Sequence, residues 1–203
     1  MAEIKATDVK ALREATGAGM MDVKKALQDA DGDFEKAKDL LRERGLASAK
    51  KYGKRAAEEG VVEAYLHKPD PHMPAKLGVM IELNCATDFV AKTERFRDLA
   101  KHISMHISHA RPVYLTRDEV PDAEIDRERE IYVKQAQSEG KPEKIIPKIV
   151  EGKLEAFYAD VCLLDQKWIR DDSKTIGQML DEASSELKEP VKVRRFAYFK
   201  VGA

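Results

Sequence analysis

Apolar residues recur at three- and four-residue spacing through the first 45 positions, the pattern of short amphipathic helices. Thr7 or Asp8 is placed to cap a first helix, and the glycines of TGAG at 16–19 end it. A second helix starts near Met20. The turn at 31–33 separates it from a third helix, which Gly45 closes. The apolar positions of this pattern are Val9, Leu12, Met20, Val23, Ala26, Leu27, Phe34, Ala37, Leu40 and Leu41. The pattern predicts a small three-helix module that depends on tight packing.

Beyond this module the pattern changes to runs of branched residues. Residues 47–59 are small, charged and helix-prone, and form a connecting helix or a linker. The runs at 60–67 and 75–85 flank the turn-forming KPDPHMP, which predicts a hairpin. A further strand is predicted at 191–201. Its alternation brings one set of side chains to one face: Val191, Val193, Arg195, Ala197, Phe199 and Val201.

Helical spacing returns between these strands. The helix at 92–109 has Phe96, Leu99, Ile103 and Ile107 on one face, and Arg111-Pro112 ends it. A short extended segment at 112–115 follows, and further helices are predicted at 122–138, 142–160 and 174–187. The fold class is therefore α+β, with helices packed on an antiparallel-sheet core. We divide the chain into a helical domain with its linker at 1–54 and an α+β core at 55–203.

Composition limits the classes of function. Hydrophobic residues make up 43% of the 203 residues, enough for a core, and 36% are charged. The net charge of -1 provides no general attraction to nucleic acid or to acidic membranes. Cys85 and Cys162 lie far apart, which fits two inert core thiols in a reducing compartment. The N-terminus has no apolar leader and no run is long enough to span a membrane, so we expect a cytoplasmic protein.

Motifs for catalysis or cofactor binding are absent from the sequence. No GxxxxGK[ST], GxSxG or GxGxxG motif occurs, so the chain is not expected to bind a nucleotide itself. His102, His106 and His109 have a spacing that could serve zinc, but helix packing explains the same positions and no HExxH motif accompanies them. The basic run at 50–55 is followed directly by Glu58 and Glu59, which favours a solvated linker over an RNA contact. We expect no metal, no cofactor and no enzymatic activity.

Several segments together resemble the bacterial elongation factor Ts family. They are LREATGAGMMDVKKAL at 12–27, ELNCATDFVA at 82–91, HISMHI at 102–107, SEGKP at 138–142 and RRFAYF at 194–199. The resemblance therefore covers nearly the whole chain. It implies that the N-terminal helices form a ubiquitin-associated-like domain. It also implies that the protein is a guanine nucleotide exchange factor, which releases GDP from the GTPase elongation factor Tu in translation elongation.

The resemblance also assigns roles to particular residues. It implies that Asp88 and Phe89 enter the GTPase near its magnesium site, while Thr87 and Val90 hold their turn. It further implies partner contacts from the N-terminal module and the core: Arg13, Met20, Met21 and His106. From the local pattern alone, Phe89 and Val90 could equally be core residues and Thr87 or Asp88 a helix cap. Likewise, Met20 and Met21 could divide between core and surface, and His106 could simply be packed.

Magnitudes determine which exchange mechanism is plausible. A nucleotide held at nanomolar affinity is bound by ~12 kcal/mol, and burial of one Phe contributes only ~1.5–3 kcal/mol. An interface of ~1,600 Å² can provide the remainder, and a thousandfold faster release requires only ~4 kcal/mol off the barrier. A Phe89 wedge therefore requires broad docking around it.

One feature of the family is missing from this chain. Longer members carry a second copy of the core strand pair, and here no second hairpin is visible. The small sheet would leave an apolar face or edge uncovered, so we predict a homodimer, giving a complex with two GTPases. The alternative is a ubiquitin-associated-type adaptor that binds another protein through residues 1–45 without exchange activity. A metal-dependent enzyme is a third, weaker alternative.

Overall fold

The computed structural model describes residues 4–16, 18–52, 56–68, 70 and 72–202, with side chains 46–51 left undescribed. The α-helices are α1 (Ala6–Thr16), α2 (Met20–Asp29), α3 (Phe34–Tyr52), α4 (Asp88–Ala91), α5 (Glu94–Ala110), α6 (Asp122–Ser138), α7 (Ile146–Val161) and α8 (Ile176–Leu187). The strands are β1 (Glu59–His67), β2 (Leu77–Cys85), β3 (Lys167–Trp168), β4 (Asp171–Thr175) and β5 (Lys192–Lys200). This is the α+β class that the sequence predicts, with an N-terminal three-helix stretch.

Helices α1, α2 and α3 pack around a core of their own. Its buried members are Leu12, Val23, Ala26, Leu27, Ala30, Ala37 and Leu41. The turn after α2 follows from backbone geometry. Asp31 takes a left-handed φ of 51°, and the Gly32 amide donates to the carbonyl of Leu27 at 2.8 Å, which closes the helix end.

The third helix is longer than predicted. Gly45 was expected to end it, but α3 continues to Tyr52. A glycine inside a helix costs ~1 kcal/mol relative to alanine, and the Ala- and Lys-rich sequence that follows is helix-prone enough to continue. A Cβ at position 45 would lie 3.8 Å from the Ser185 Oγ, an ordinary contact distance. The expected end at Gly45 is therefore wrong.

A three-stranded antiparallel sheet with the order β1-β2-β5 confirms the predicted hairpin and the C-terminal strand. The Val201 amide donates to the carbonyl of Lys76 at 2.9 Å, and the Arg195 Nε donates to the Glu82 carboxylate at 2.7 Å. One face of β2 is buried through Val79, Ile81, Leu83 and Cys85. The buried face of α5 comprises Phe96, Leu99, Ala100, Ile103, Ser104, His106 and Ile107, which includes the predicted stripe.

A second hairpin, β3 with β4, was not anticipated. It pairs Lys167 with Thr175 and occupies the start of the segment predicted as helix, so α8 begins at Ile176. Strand β4 has the sequence DDSKT, which lacks the branched alternation of a strand. The expectation of no second hairpin is therefore wrong, although this one has only two and five residues in its strands.

Helices α6 and α7 form an antiparallel pair around a small separate core. Buried Ala136, Ile146 and Val150 are its centre. Gly140, with a φ of 68°, lies in the turn between the two helices, where the Lys141 amide donates to the carbonyl of Ala136 at 3.1 Å. Among the residues that the structure describes, no helix combines the length and apolar character needed to cross a membrane.

Two compact units divide the chain, and neither is continuous in sequence. One comprises the described residues of Met1–Gly60, Asn84–Thr93 and Met179–Lys192. The other comprises the described residues of Val61–Leu83, Glu94–Gln178 and Val193–Ala203. The turn at 87–90 and the N-terminal helices therefore belong to the same unit, and His106 belongs to the other.

Candidate functional site: an exposed aromatic turn

The segment Thr87–Val90 follows the last residues of β2 and forms the start of α4. Thr87 is the N-cap, in an extended conformation, and its Oγ1 accepts a hydrogen bond from the Val90 amide at 3.4 Å. The Thr93 hydroxyl donates to the carbonyl of Val90 at 2.7 Å at the other end of this one-turn helix. The sequence-based reading of Thr87 as a cap is thus correct, and it agrees with a role in holding the turn.

Phe89 presents its ring to solvent, and the residue is 79% exposed. Thr87, Asp88 and Val90 are each only partly exposed. The alternative reading of Phe89 as a core residue is therefore wrong for the described conformation. Exposed large apolar side chains often mark interaction sites when they cluster with others.

Asp88 lies beside Phe89 and forms an ion pair with Lys92, with 2.5 Å between Oδ2 and Nζ. The hydrogen bond from Lys92 lowers the pKa of the Asp88 carboxyl, which therefore stays ionised at neutral pH. Both side chains are exposed to water, so the pair contributes little to stability. Each of them can exchange its partner for a group on another protein at small cost.

The buried carboxylate of Glu189, which the sequence did not indicate, binds the start of this turn through hydrogen bonds. Glu189 is only 9% exposed, and its Oε2 accepts the Ala86 amide at 3.2 Å and the Thr87 amide at 3.0 Å. Its Oε1 accepts the Thr87 hydroxyl at 2.7 Å. In addition, the Cys85 thiol donates to the carbonyl of Thr87 at 3.1 Å. Glu189 lies about a hundred residues away in sequence, and no local pattern marked it.

Both cysteines are buried, as predicted, and neither is in a disulfide. Burial raises the pKa of the Cys85 thiol, with Glu189 adding to the effect. Burial and the nearby Asp165 carboxylate raise the pKa of the Cys162 thiol to about 11. Both groups are therefore protonated thiols at neutral pH, which makes them poor nucleophiles.

The three predicted contact residues of the N-terminal module all lie at its surface. Met20 is 56% and Met21 75% exposed in the first turn of α2, while Val23 two positions further on is fully buried. Arg13 is exposed in the last turn of α1. Neither Met20 nor Met21 is buried in the core of the N-terminal helices, so the alternative that divides them between core and surface is wrong. Exposed methionines provide a flexible, polarizable apolar surface that suits binding.

His106 is placed differently from the other predicted contacts. Its side chain is completely buried, and its Nε2 lies 3.0 Å from Oε1 of Gln166, whose amide group donates to the carbonyl of Asp160 at 2.7 Å. Burial lowers the pKa of the imidazole. A side chain without exposed surface makes no direct contact with a partner in this conformation. The structure therefore agrees with the alternative in which His106 is a packed side chain.

The histidine spacing on α5 does not assemble a metal site within the described residues. No group of three or more His, Cys, Asp and Glu side chains comes together in this part of the chain. His102 instead lies beside Arg170, with 3.0 Å between Nε2 and Nη1. Burial and the charge of Arg170 lower the pKa of the His102 imidazole.

The three-stranded sheet has one apolar face open to solvent, which we term the outer sheet face. In β1 the even-numbered positions 62–66 are exposed, and in β2 Met80 is exposed between buried Val79 and Ile81. Leu66 leans over Gly78, since its Cδ2 lies 3.0 Å from a Cβ built there. Exposed large apolar residues of this face and of the turn that follows β5 are Val62, Leu66, Met80, Phe199 and Val201.

Comparison with known proteins gives a consistent result over the whole chain. The family model described as elongation factor TS matches residues 3–203. An elongation factor Ts from Frankia alni is 51% identical over 201 residues, covering 99% of this chain and 98% of the relative. Another from Desulforamulus reducens is 52% identical over 202 residues, covering 100% and 91%. A third, from Acetivibrio thermocellus, is 52% identical over 194 residues, covering 96% and 88%.

Proposed function

The chain belongs to the elongation factor Ts family, and on this basis we propose that it is the guanine nucleotide exchange factor of elongation factor Tu. It acts by promoting GDP release in translation elongation, as a cytoplasmic protein without enzymatic activity or cofactor. It binds neither nucleic acid nor membrane directly. The observation that carries the mechanism is the solvent-exposed ring of Phe89 on a turn that is fixed by hydrogen bonds.

The proposed mechanism assigns the chemistry to shape and charge, with no covalent step. Phe89 enters the GTPase near its magnesium site, and Asp88 accompanies it as an ionised carboxylate. Thr87 and Val90 keep the turn in register. Binding free energy is coupled reciprocally, so the exchange factor and the nucleotide weaken each other's binding to the GTPase by one common factor. Fresh GTP therefore helps to release the exchange factor.

Docking around the turn supplies the free energy that one ring does not. Burying Phe89 contributes only ~1.5–3 kcal/mol. We propose that Arg13, Met20 and Met21 provide a second area of contact, through one cation and two mobile apolar side chains. Residues 1–54 then act as a ubiquitin-associated-like docking domain, and residues 55–203 as the core that carries the wedge and the dimer contact.

For His106 we propose an indirect role. Its burial fits a residue that packs α5 against the segment around Gln166 and so supports the core from within. A direct contact with the GTPase would require the helix surface above it to be uncovered first. Substitution of His106 is therefore expected to act mainly on stability.

We further propose that the protein is a homodimer that uses the outer sheet face, giving a complex of two exchange factors and two GTPases. Leu66, Met80 and Phe199 would lose their contact with water when a second copy covers them. A two-fold axis can bring two identical apolar sheet faces together, as in a sandwich. Glu82 and Arg195 on the same face already neutralise each other, so no unpaired charge from this pair would be buried.

The direct test is the rate of GDP release from purified elongation factor Tu loaded with a fluorescent GDP analogue. The protein is expected to accelerate release in a concentration-dependent way. Phe89→Ala should lower the saturating rate roughly ten- to a hundredfold, the range that corresponds to burial of one Phe ring. The variant should remain folded, because the ring is exposed.

Val113→Ala is the matched control, since it truncates another exposed apolar side chain, 63% exposed, outside the proposed contacts. Its release rate should equal that of the unmodified protein. An unchanged rate for Phe89→Ala would reject the wedge. No acceleration by the unmodified protein would reject the exchange function itself.

A further inference from the structure

The Glu189 carboxylate forms three hydrogen bonds to the residues that lead into helix α4. Both of its oxygens accept from the turn, in the three bonds to Ala86 and Thr87 described above. Hydrogen bonds to a charged acceptor are stronger than neutral ones. The turn therefore has its firmest polar attachment at the residue that caps α4.

Glu189 itself is held in place on both sides. Lys188 after the end of α8 takes a left-handed φ of 57°, which turns the chain sharply. The Val191 amide donates to the Ser184 hydroxyl at 2.9 Å, and that hydroxyl donates to the carbonyl of Leu180 at 2.8 Å. The segment 188–191 is thus tied back to α8.

The Thr87 hydroxyl transmits this order to the helix that carries Phe89. Because the hydroxyl donates its proton to Glu189 at 2.7 Å, its lone pairs remain available to the Val90 amide. Helix α4 has only four residues, which is too short to be stable alone. The orientation of Phe89 at its second position therefore depends on the cap, and the cap depends on Glu189.

We propose that Glu189 is a positioning residue for nucleotide exchange, whose carboxylate fixes the Thr87 cap so that Phe89 is already in its working orientation before docking. This inference rests on the proposed function. A ring on a pre-ordered turn loses little conformational freedom when it enters the GTPase, so more of its binding free energy is available to loosen the nucleotide. Glu189 itself does not contact the GTPase in this account.

The test measures GDP release at increasing concentrations of the full chain, for the unmodified protein, Glu189→Gln, Thr87→Val and the double variant. Glu189→Gln keeps the side-chain shape but replaces one acceptor oxygen by a donor. Its saturating rate should fall roughly ten- to a hundredfold, as for loss of hydrogen bonds to a charged group. Its half-saturating concentration should stay within about twofold, because the other docking surfaces are unaltered.

Thr87→Val removes the hydroxyl that donates to Glu189, so it breaks the same hydrogen bond from the other partner. This variant tests the positioning role if Glu189→Gln fails to fold. The double variant should be no slower than the slower single variant, since both changes break one unit. Glu151→Gln removes the same charge from an exposed site on α7 and is the control. Hydrogen exchange should become faster at residues 86–90 of Glu189→Gln and stay unchanged at 94–110, whether or not the GTPase is present.

Distinct results overturn the inference. If the unmodified protein accelerates GDP release and Glu189→Gln does so equally well, Glu189 has no positioning role and the proposed function stands. If the half-saturating concentration rises as much as the saturating rate falls, and hydrogen exchange increases throughout the chain, its role is only structural. If the unmodified protein does not accelerate GDP release, the proposed function fails and the positioning role fails with it.

Discussion

At the scale of single residues, the chain places two polar groups and one aromatic ring against the usual preference for burial. Phe89 is exposed, whereas His106 and Glu189 are buried. The Glu189 carboxylate accepts hydrogen bonds at both oxygens, which offset much of the cost of removing it from water. The His106 imidazole has a partner at Nε2, whereas its buried Nδ1 has none among the described residues. Phe89 has no such compensation within the chain. Its exposed ring is available to a partner, which is the basis of the proposed wedge.

The buried imidazole predicts a pH dependence of stability. Burial holds the pKa of His106 below its ordinary value of 6.5, so the unfolded chain binds a proton there more readily than the folded one. Stability should therefore fall as the pH drops below about 6.5, until the pH reaches the pKa in the folded state. In His106→Gln this part of the pH dependence should disappear, even if the variant is less stable at pH 7.5.

Urea unfolding at several pH values between 5 and 7.5 measures this effect. His72→Gln is the control, because His72 is exposed and lies outside α5. A pH dependence in His106→Gln equal to that of the unmodified protein would show that His106 is not the group responsible.

At the scale of elements, the sequence predicts helix ends well where a proline or a residue with left-handed φ follows the helix. The break at Arg111-Pro112 agrees with the end of α5 at Ala110, where Arg111 takes a φ of 52°. Gly45 failed as a boundary because it has an ordinary helical backbone. In the sequence, glycines occur both at helix ends and inside helices. Only the structure distinguishes a glycine that ends a helix from one that lies within it.

Gly45→Ala should therefore stabilise the protein. The added methyl would meet Ser185 at 3.8–4.0 Å, without a clash, and the substitution removes the conformational entropy cost of glycine in a helix. We expect the free energy of unfolding to rise by ~0.5–1 kcal/mol. Equilibrium urea denaturation of Gly45→Ala and the unmodified protein measures this difference in the free energy of unfolding.

Gly177→Ala is the matched control for this substitution. There a Cβ would lie 3.0 Å from the backbone carbonyl oxygen of Leu164, so the same change in α8 should destabilise the protein. A lower free energy of unfolding for Gly45→Ala would contradict the prediction.

At the scale of the whole molecule, the open question is what covers the outer sheet face. The described residues leave Leu66 62% and Phe199 66% exposed on a sheet whose opposite face is buried along β2. Open apolar faces of this kind favour association. A second copy explains the face without invoking an additional kind of partner.

Leu66→Glu should convert the proposed dimer to a monomer. Two-fold symmetry would place the carboxylate in the interface twice, so the dissociation constant should rise by roughly a hundredfold or more. Sedimentation equilibrium at micromolar concentration measures this directly. Val113→Glu, which adds the same charge at another exposed apolar site, should leave the dimer intact. A monomeric unmodified protein under the same conditions would contradict the dimer.

The sequence by itself determined the α+β class, the core strands and the long helices, because periodic burial and turn residues are local properties. The segments that resemble the family also pointed to Thr87, Asp88 and Phe89 as candidate contact residues. The tertiary structure alone decided which side chains face solvent. It brought Glu189 to Thr87 across about a hundred residues, buried His106 beside Gln166 and left Phe89 exposed. These outcomes depend on packing between distant segments, which no window of local sequence contains.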